Sequence, residues 1–509
     1  MEGNDLMLYQ STRGGGGRLP SAEAIAKGLS IDGGLYVPES FPLLKLSDIE
    51  TLSQKSYDLR ASSILGQLLD DFSEEELSRY SNEAYKMPGF DHPAIAPLSK
   101  LISGTYFLEL WHGPTSAFKD MALQILPRLL RASLLKIGEE REACILVATS
   151  GDTGKAALEG FCDVPGIKIM VFYPRDGVSD IQKLQMTSQN GTNVNVVAVE
   201  GNFDDAQTGV KAIFSDTDLR EELSSRGFFL SSANSINWGR LVPQIAYYFS
   251  AYCDLLSEGE ISLGDKINIC VPTGNFGNIL AAYYAERMGL PVNKLICASN
   301  RNDVLADFIQ DGIYDKNRRF YTTVSPSMDI LVSSNLERLL FELSGKDGGA
   351  VSGFMSALSD MGRYEIPKEM KNELGRVFAG GRCSEEGTFD TIARVFRDHD
   401  YLIDTHTAVA FKVLCDYRED SGDNTPAVVV STASPYKFCD SVLEALGALG
   451  KSAKWSQTDS TGLINTLEEL SGCPAPAPLT GLRGKRPRFL DSVPVSGMKA
   501  AVNEFLSNK

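Results

Sequence analysis

Lys119 is the residue whose type and surroundings point most directly to chemistry. It lies in the stretch WHGPTSAFKDMALQILPRLL, at the start of a segment whose apolar residues recur at helical spacing on two faces. We expect one helix here, buried on most sides. A buried ammonium is costly unless it is paired, neutralised or chemically converted. A Schiff base to an aldehyde cofactor is one such conversion.

Three strand-to-helix turns have small, polar, glycine-containing sequences that suit ligand binding. The first, in ATSGDTGKAALEGF, offers hydroxyls and backbone amides that can hold a carboxylate. The second, in VPTGNFGNILAAYYAERMG, leads into a helix whose free N–H groups suit a phosphate. The third, VVVSTASPYKF, places Ser431 and Thr432 at a strand end, where α/β sheets bind ligands. The first two turns consist of Ser150, Gly151, Asp152, Thr153 and Gly154, and of Gly274, Asn275, Phe276, Gly277 and Asn278.

The combination of these features is more specific than any one of them, since each turn alone is equally well a plain structural turn. Neither glycine-containing turn fits GxGxxG or GxxxxGK[ST], so dinucleotide and P-loop sites lack their parts. One lysine, one phosphate-type turn and one hydroxyl at a strand end are the minimum set for pyridoxal phosphate. Its aldehyde, phosphate and ring nitrogen would each find a partner.

The elements that must position these residues indicate an α/β architecture. Continuous apolar runs alternate with helical patterns, which favours parallel strands covered by helices on both faces. We expect an N-terminal α+β domain over 1–100, a catalytic region in two lobes over 101–440 and a C-terminal extension over 441–509, with a mainly helical segment at about 310–400. The predicted strands are ACILVAT, IKIMVFY, NVNVVAVE, INICVP, KLICAS and AVVVSTA.

Composition excludes several classes of protein. No apolar run reaches the roughly 18 residues of a membrane span, and a net charge of −17 disfavours binding to nucleic acid or anionic lipid. The nine cysteines form no CxxC pair and no tight cluster with histidine, so we expect neither a metal site nor a disulfide framework. The first residues show no secretory or transit signal, which predicts a cytoplasmic protein.

The chain resembles the threonine synthases. The motifs STRGG, DGGLYVPE, ELWHGPTSAFKDMALQ, ATSGDTGKAA, SANSINWGRLVPQ, PTGNFGNILAAYYA, IDTHTAVA and STASPYKF occur in the order and approximate spacing of that family. The resemblance implies a pyridoxal phosphate enzyme of the tryptophan synthase β-like fold. It further implies a carbon–oxygen lyase that converts O-phospho-L-homoserine and water to L-threonine and phosphate, acting as a monomer or homodimer on this small-molecule substrate.

The resemblance also assigns roles residue by residue. Lys119 would form the Schiff base, Gly274 to Asn278 would hold the cofactor phosphate, and Thr432 would bond the pyridine nitrogen. The turn from Ser150 to Gly154 would bind the substrate carboxylate. For the substrate phosphate the family motif SANSINWGR implies Ser232, Asn234, Asn237 and Arg240.

Two alternatives remain open at the level of sequence. A related phospho-lyase would release 2-oxobutyrate, phosphate and ammonia from O-phosphothreonine or O-phosphohomoserine with the same residues. A noncatalytic protein could keep the fold as a binding scaffold, although the intact Lys119 and GNFGN motif argue against this. We expect His112 and His406 to be structural hydrogen-bonding residues.

Overall fold

The computed structural model describes residues 6–175, 178–447 and 460–507. Its strands, numbered along the chain, are β1 (Tyr9–Ser11), β2 (Tyr36–Pro38), β3 (Leu98–Ile102), β4 (Thr105–Glu109), β5 (Glu142–Ala148), β6 (Ile167–Pro174), β7 (Val194–Glu200), β8 (Phe228–Ser231), β9 (Ile267–Pro272), β10 (Val292–Ser299), β11 (Ile313–Asp315), β12 (Arg363–Glu365), β13 (Phe378–Arg382), β14 (Ala427–Ser431) and β15 (Ser492–Pro494).

Helices connect and cover these strands. They are α1 (Ser21–Lys27), α2 (Leu46–Ser53), α3 (Tyr57–Gly66), α4 (Glu74–Ala84), α5 (Asp120–Leu123), α6 (Leu126–Lys136), α7 (Asp152–Gly160), α8 (Asp180–Thr187), α9 (Phe203–Ser215), α10 (Thr217–Ser225), α11 (Trp238–Leu241), α12 (Pro243–Ser257), α13 (Gly277–Arg287), α14 (Val304–Asp311), α15 (Leu336–Leu343), α16 (Gly348–Asp360), α17 (Lys368–Val377), α18 (Glu385–His399), α19 (Thr405–Ser421), α20 (Cys439–Ala445), α21 (Ser460–Ser471), α22 (Ala477–Thr480) and α23 (Met498–Ser507). Short 3₁₀ helices lie at Pro326–Met328, Pro435–Phe438 and Val495–Gly497.

The larger sheet has the strand order β13-β10-β9-β14-β4-β3. All neighbours are parallel except β3 and β4, which form an antiparallel edge. Strand β14 inserts between β9 and β4 although it comes late in the chain. Because parallel strands end at the same edge, this insertion brings Thr432 next to the segment that follows β4.

The smaller sheet has the order β15-β7-β6-β5-β8 and is parallel throughout. Part of the segment 441–509 belongs to this sheet, because β15 pairs with β7 at its edge. Apolar residues of α23 pack into the core on one face of the sheet: Met498, Val502 and Leu506.

The sequence prediction of parallel strands is confirmed. The six apolar runs form β5, β6, β7, β9, β10 and β14, and every residue of β9 and β14 is buried. A strand covered by helices on both faces has no solvent-facing side chains, which explains its continuous apolar sequence. The segment 310–400 contains α15 to α18 and also contributes β13 to the larger sheet.

The prediction of one helix after Lys119 is wrong, because two helices, α5 and α6, follow it. Pro127 has no N–H to donate to the carbonyl of Leu123, so the α-helical ladder is interrupted there. The freed carbonyl lies against Gly160 of α7, where an added Cβ would stand 2.0 Å from the Leu123 oxygen. Only glycine allows this approach between the two helices.

Candidate active site

A cleft between the two sheets gathers most of the residues singled out in the sequence. It lies beyond the carboxyl ends of β5, β9 and β14, the position where open α/β sheets bind ligands. The predicted residues that line it are Lys119, Ser150, Thr153, Asn234, Arg240, Gly274, Asn275, Phe276, Gly277, Asn278 and Thr432. Gly151, Asp152, Gly154, Ser232 and Asn237 stand behind or beside this lining.

Backbone hydrogen bonds fix the segment that carries Lys119. The Phe118 N–H donates to the Thr432 carbonyl at 2.8 Å, and the Ser434 N–H donates to the Ser116 carbonyl at 3.1 Å. Asp120 is buried and accepts from the Thr115 N–H and hydroxyl at 2.8 and 2.7 Å. The loop after β14 therefore positions Lys119 through its backbone as well as presenting Thr432.

Lys119 is buried, with 9% of its surface exposed, and its Nζ lies 3.6 Å from Asp152 Oδ2. Burial lowers the pKa of Lys119, Asp152 opposes this shift, and Arg240 and Lys437 add to it, so that the pKa lies at about 8. At pH 7 a group with this pKa is neutral in about a tenth of the molecules. A neutral amine is the form that attacks an aldehyde or accepts a proton.

Asp152 is held by a lysine that the sequence reasoning missed. The ammonium of Lys437 is fully buried and lies 2.6 Å from Asp152 Oδ1, which also accepts from Gln182 Nε2 at 2.8 Å. Burial alone would raise the pKa of Asp152, but Lys437 and Lys119 hold it well below its usual range. Asp152 therefore points a negative charge at the two lysines and offers no donor to a substrate carboxylate.

The rest of the first turn keeps donors that face the cleft. Thr149 Oγ1 accepts from the N–H groups of Gly151 and Gly154 at 3.0 and 2.8 Å, which fixes the start of α7. Ser150 and Thr153 line the cleft beside Lys119. The donors available to a ligand in this turn are thus the side chains of these two residues and the remaining amides.

The turn from Gly274 to Asn278 has the shape of an anion site. Phe276 adopts a left-handed conformation with φ of 60°, and a Cβ on Gly274 would lie 2.5 Å from the Ser327 carbonyl oxygen. The tight turn leads directly into α13, whose first N–H groups have no partner within the helix. The positive end of the helix dipole adds to their attraction for a phosphate.

Asn278 adds an oriented side-chain donor to this turn. Its Oδ1 accepts from the hydroxyls of Tyr247 and Tyr248 at 2.5 and 2.6 Å. Its Nδ2 is buried and has no hydrogen-bond partner in the described part of the chain. A buried donor without a partner is costly, so a ligand oxygen at this position would stabilise the site.

Arg240 is a buried cation without an anionic partner. Its Nη1 donates to the Ala233 carbonyl at 2.6 Å, its Nε has no partner, and no carboxylate of the described residues forms an ion pair with it. Burial lowers its pKa to about 10. A guanidinium left in this state is suited to a bound phosphate or carboxylate.

Asn237 is engaged elsewhere. Its side chain accepts from the Gly239 N–H and donates to the carbonyls of Ile25 and Ser232, so it caps α11 and joins it to the N-terminal segment. Ser232 and Asn234 face a second, outer cleft that adjoins the first. Asn234 and Arg240 therefore line the cleft where a substrate can reach them, whereas the side chain of Asn237 is already occupied by backbone partners.

The two histidines of interest differ in position. His406 lines the cleft, where its Nδ1 bonds Asp404 at 2.7 Å and its Nε2 accepts from the Ser327 N–H at 3.2 Å. His112 lies outside it. Burial opposes the charge of His112, but Asp91 and Glu109 outweigh burial and raise its pKa to about 9. Both rings hold neighbouring segments in place.

The described residues contain no group of three or more histidine, cysteine or acidic side chains that could hold a metal ion. Over the same ranges no helix is both long and apolar enough to cross a bilayer.

Three family descriptions match successive parts of the chain. "Threonine synthase N terminus" matches residues 8–85, "Pyridoxal-phosphate dependent enzyme" matches 93–433 and "Threonine synthase, C-terminal" matches 407–475. The chain belongs to the threonine synthase family. Its fold is therefore the α/β fold of the pyridoxal-phosphate-dependent enzymes, preceded by the N-terminal region typical of threonine synthases.

Individual members of the threonine synthase family align over most of the chain. Human threonine synthase-like 1 is 42% identical over 435 residues, which cover 84% of this chain and 58% of that protein. The threonine synthase of Pseudomonas aeruginosa is 40% identical over 440 residues, covering 86% and 90%. The chain thus spans less than two thirds of the length of the human relative and nearly all of the bacterial one.

Solved structures of threonine synthases agree with the fold over nearly the full length. The pyridoxal-phosphate-bound threonine synthase of Brucella melitensis is 37% identical, with a TM-score of 0.84 and coverage of 98% of this chain and 99% of that one. The yeast enzyme is 31% identical, with a TM-score of 0.85 and 99% coverage of both chains.

Pyridoxal phosphate is the cofactor of this threonine synthase family, and the residues present fit it. The side-chain amide of Asn278, whose Nδ2 has no hydrogen-bond partner among the described residues, and the first turn of α13 suit the phosphate of the cofactor. A side chain at position 274 would collide with the Ser327 carbonyl, so glycine is needed there for the turn to keep its shape. Lys119 supplies an amine in the same cleft, and Thr432 supplies a hydroxyl.

Proposed function

We propose that the protein converts O-phospho-L-homoserine and water to L-threonine and phosphate, a step of threonine biosynthesis. The observation that supports this proposal is a cleft lined by the buried amine of Lys119 and by two separate groups of hydrogen-bond donors that can bind anions. The turn into α13 with Asn278 is one of these groups, and the unpaired Arg240 is the other. A phosphorylated cofactor and a phosphorylated substrate would together satisfy both.

Each residue has a specific task in this reaction. Bound pyridoxal phosphate supplies an aldehyde for the amines and a ring that withdraws electrons from the substrate. Lys119 would hold the aldehyde through its amine, and its Nζ would take the proton from the substrate Cα and later move a proton at Cβ. Its lowered pKa keeps a neutral fraction available for this work.

Binding residues determine where the charges of the substrate lie. Ser150 and Thr153 would hold the carboxylate, and Arg240 with Asn234 would hold the phosphate and stabilise it as it departs. The hydroxyl of Thr432 would face the ring nitrogen of the cofactor; being neutral, it would not enforce protonation there. These assignments use the residues that line the cleft.

A second candidate is a phospho-lyase that gives 2-oxobutyrate, phosphate and ammonia. The observation that favours it is the 42% identity to threonine synthase-like 1, which matches the 40% identity to a threonine synthase. The residues required are the same in both reactions. The products differ in what water does after phosphate has left. In the synthase water adds at the β-carbon and gives threonine, whereas in the lyase it only hydrolyses the remaining four-carbon product to 2-oxobutyrate and ammonia.

Product analysis separates the two candidates. The cofactor-loaded protein is incubated with O-phospho-L-homoserine, and phosphate, threonine and 2-oxobutyrate are measured together. Threonine formed in equal amount to phosphate supports the synthase, and 2-oxobutyrate in equal amount supports the lyase. Absence of phosphate release from both O-phospho-L-homoserine and O-phospho-L-threonine would refute both. Lys119→Ala is the control for background hydrolysis.

A further inference from the structure

Lys437 is a buried charge to which the proposed function gives no role. Its side chain has no exposed surface, and its Nζ lies 2.6 Å from Asp152 Oδ1 and donates to the Thr115 carbonyl at 3.0 Å. Asp152 Oδ2 lies 3.6 Å from Lys119 Nζ on the other side. One carboxylate is therefore shared between two buried ammonium groups.

The surroundings of Asp152 fix its position from several elements. Gln182 of α8 donates to Oδ1 at 2.8 Å, and the Ser327 hydroxyl approaches Oδ2 at 3.5 Å. Asp152 itself stands at the start of α7, and Lys437 lies in the 3₁₀ helix that follows the Thr432 loop. The arrangement links the two loops that flank the cofactor site.

The division of charge has a consequence for Lys119. A carboxylate paired with Lys119 alone would stabilise its ammonium form and remove the neutral amine. Lys437 takes the closer position on the carboxylate and adds a second positive charge nearby. Arg240 also disfavours a charge on Lys119, His406 of α19 lines the same cleft, and Asp120 follows Lys119 in the chain.

We propose that Lys437 is a positioning residue that shares the charge of Asp152 with Lys119, so that Lys119 can lose its proton near neutral pH. The proposal rests on the proposed function, because it assigns Lys119 the reactive amine. It makes Lys437 a determinant of the reactivity of Lys119 rather than a residue that touches substrate.

The test is the pH dependence of Lys119 labelling in the full-length, cofactor-free protein. A small acylating reagent is applied between pH 6 and 11, and peptide mass spectrometry measures the modification at Lys119. The wild type should titrate near 8. Lys437→Met should raise that midpoint by one unit or more, which slows labelling at pH 7 about tenfold. Asp152→Asn should lower the midpoint instead.

Controls separate charge from packing. Lys155→Met is the matched control, because Lys155 lies on the same helix as Asp152 but pairs with Glu159. It should leave the Lys119 midpoint unchanged. Lys437→Arg restores the positive charge and should return the midpoint to within about half a unit of the wild type.

An unchanged or lowered midpoint in folded Lys437→Met would overturn the proposal. If that variant does not fold, Lys437→Gln decides, because it removes the charge but keeps a hydrogen-bond donor: a raised midpoint supports the shared charge, and an unchanged or lowered one refutes it. These readings are independent of product formation, so failure of the product assay and failure of this proposal are distinguishable.

Discussion

Replacing Arg240 by methionine should make the ligand-free protein more stable and the anion site weaker. The guanidinium is buried, has one carbonyl partner and forms no ion pair among the described residues. Methionine keeps an unbranched apolar stem and has no charge to desolvate. Stability and binding should therefore change in opposite directions.

The magnitude follows from the pKa of Arg240. Burial lowers it from its usual value to about 10, which corresponds to about 3 kcal/mol against the charged form at about 1.4 kcal/mol for each tenfold change. Removing the charge would regain this free energy, but losing the hydrogen bond to the Ala233 carbonyl offsets about 1–2 kcal/mol of the gain. We expect a net gain of about 1–2 kcal/mol, seen as a rise in Tm of a few degrees at most.

Arg338 provides the matched control. It is also fully buried with a pKa lowered to about 10, but it donates to the carbonyls of Tyr36, Ser235 and Ile236 and to Asn335 Oδ1. Arg338→Met leaves these acceptors without their donor and should lower Tm.

The assay is thermal unfolding of the cofactor-free protein with and without inorganic phosphate. Phosphate should raise the Tm of the wild type, because a ligand that binds the folded state stabilises it. It should raise that of Arg240→Met less, because only the turn into α13 remains to bind it. A destabilised Arg240→Met variant that keeps the full phosphate effect would refute the reasoning.

Three further predictions follow from the hydrogen bonds and charges of single residues. The pKa of His112 is raised from 6.5 to about 9, so its stabilising contribution of about 3 kcal/mol is complete below pH 6.5 and is lost as the pH rises through 9. The Tm difference between wild type and His112→Gln should accordingly be large at pH 6 and disappear by pH 10, and a constant difference would contradict this. Asn237→Ala removes a helix cap and two buried bonds and should cost about 2–4 kcal/mol with KM unchanged, whereas a raised KM at unchanged Tm would return Asn237 to the substrate site. Lys119→Ala should reduce turnover at least about 10³-fold while phosphate still raises Tm, because Arg240 and α13 remain; retained turnover would remove Lys119 from the mechanism.

Much of the fold was predictable because its signals are local. A continuous apolar run followed by a polar turn and a helical pattern marks a parallel strand, and the six predicted runs are strands of the two sheets. The break between α5 and α6 was also visible in the sequence, as Pro127. The apolar residues keep helical spacing on both sides of Pro127, so the periodicity alone predicted one continuous helix.

The candidate site was predictable in part. The turns after β5, β9 and β14 are short segments whose composition already suggests ligands, and most of their residues line the cleft. The contact of Lys437 with Asp152 joins residues far apart in the sequence and depends on the insertion of β14 between β9 and β4. Asn237 is a polar residue in a family motif, and the sequence alone suggested a ligand for it. The fold shows instead that its side chain accepts from the Gly239 N–H of α11 and donates to the Ile25 carbonyl.

Locating the cofactor on the chain tests the role of Lys119 most directly. The pyridoxal-phosphate-loaded protein is reduced with borohydride, digested and analysed by peptide mass spectrometry. We expect a single modified peptide with the added mass on Lys119. A modification on Lys437, whose amine shares the same carboxylate, on any other lysine, or on none, would contradict it.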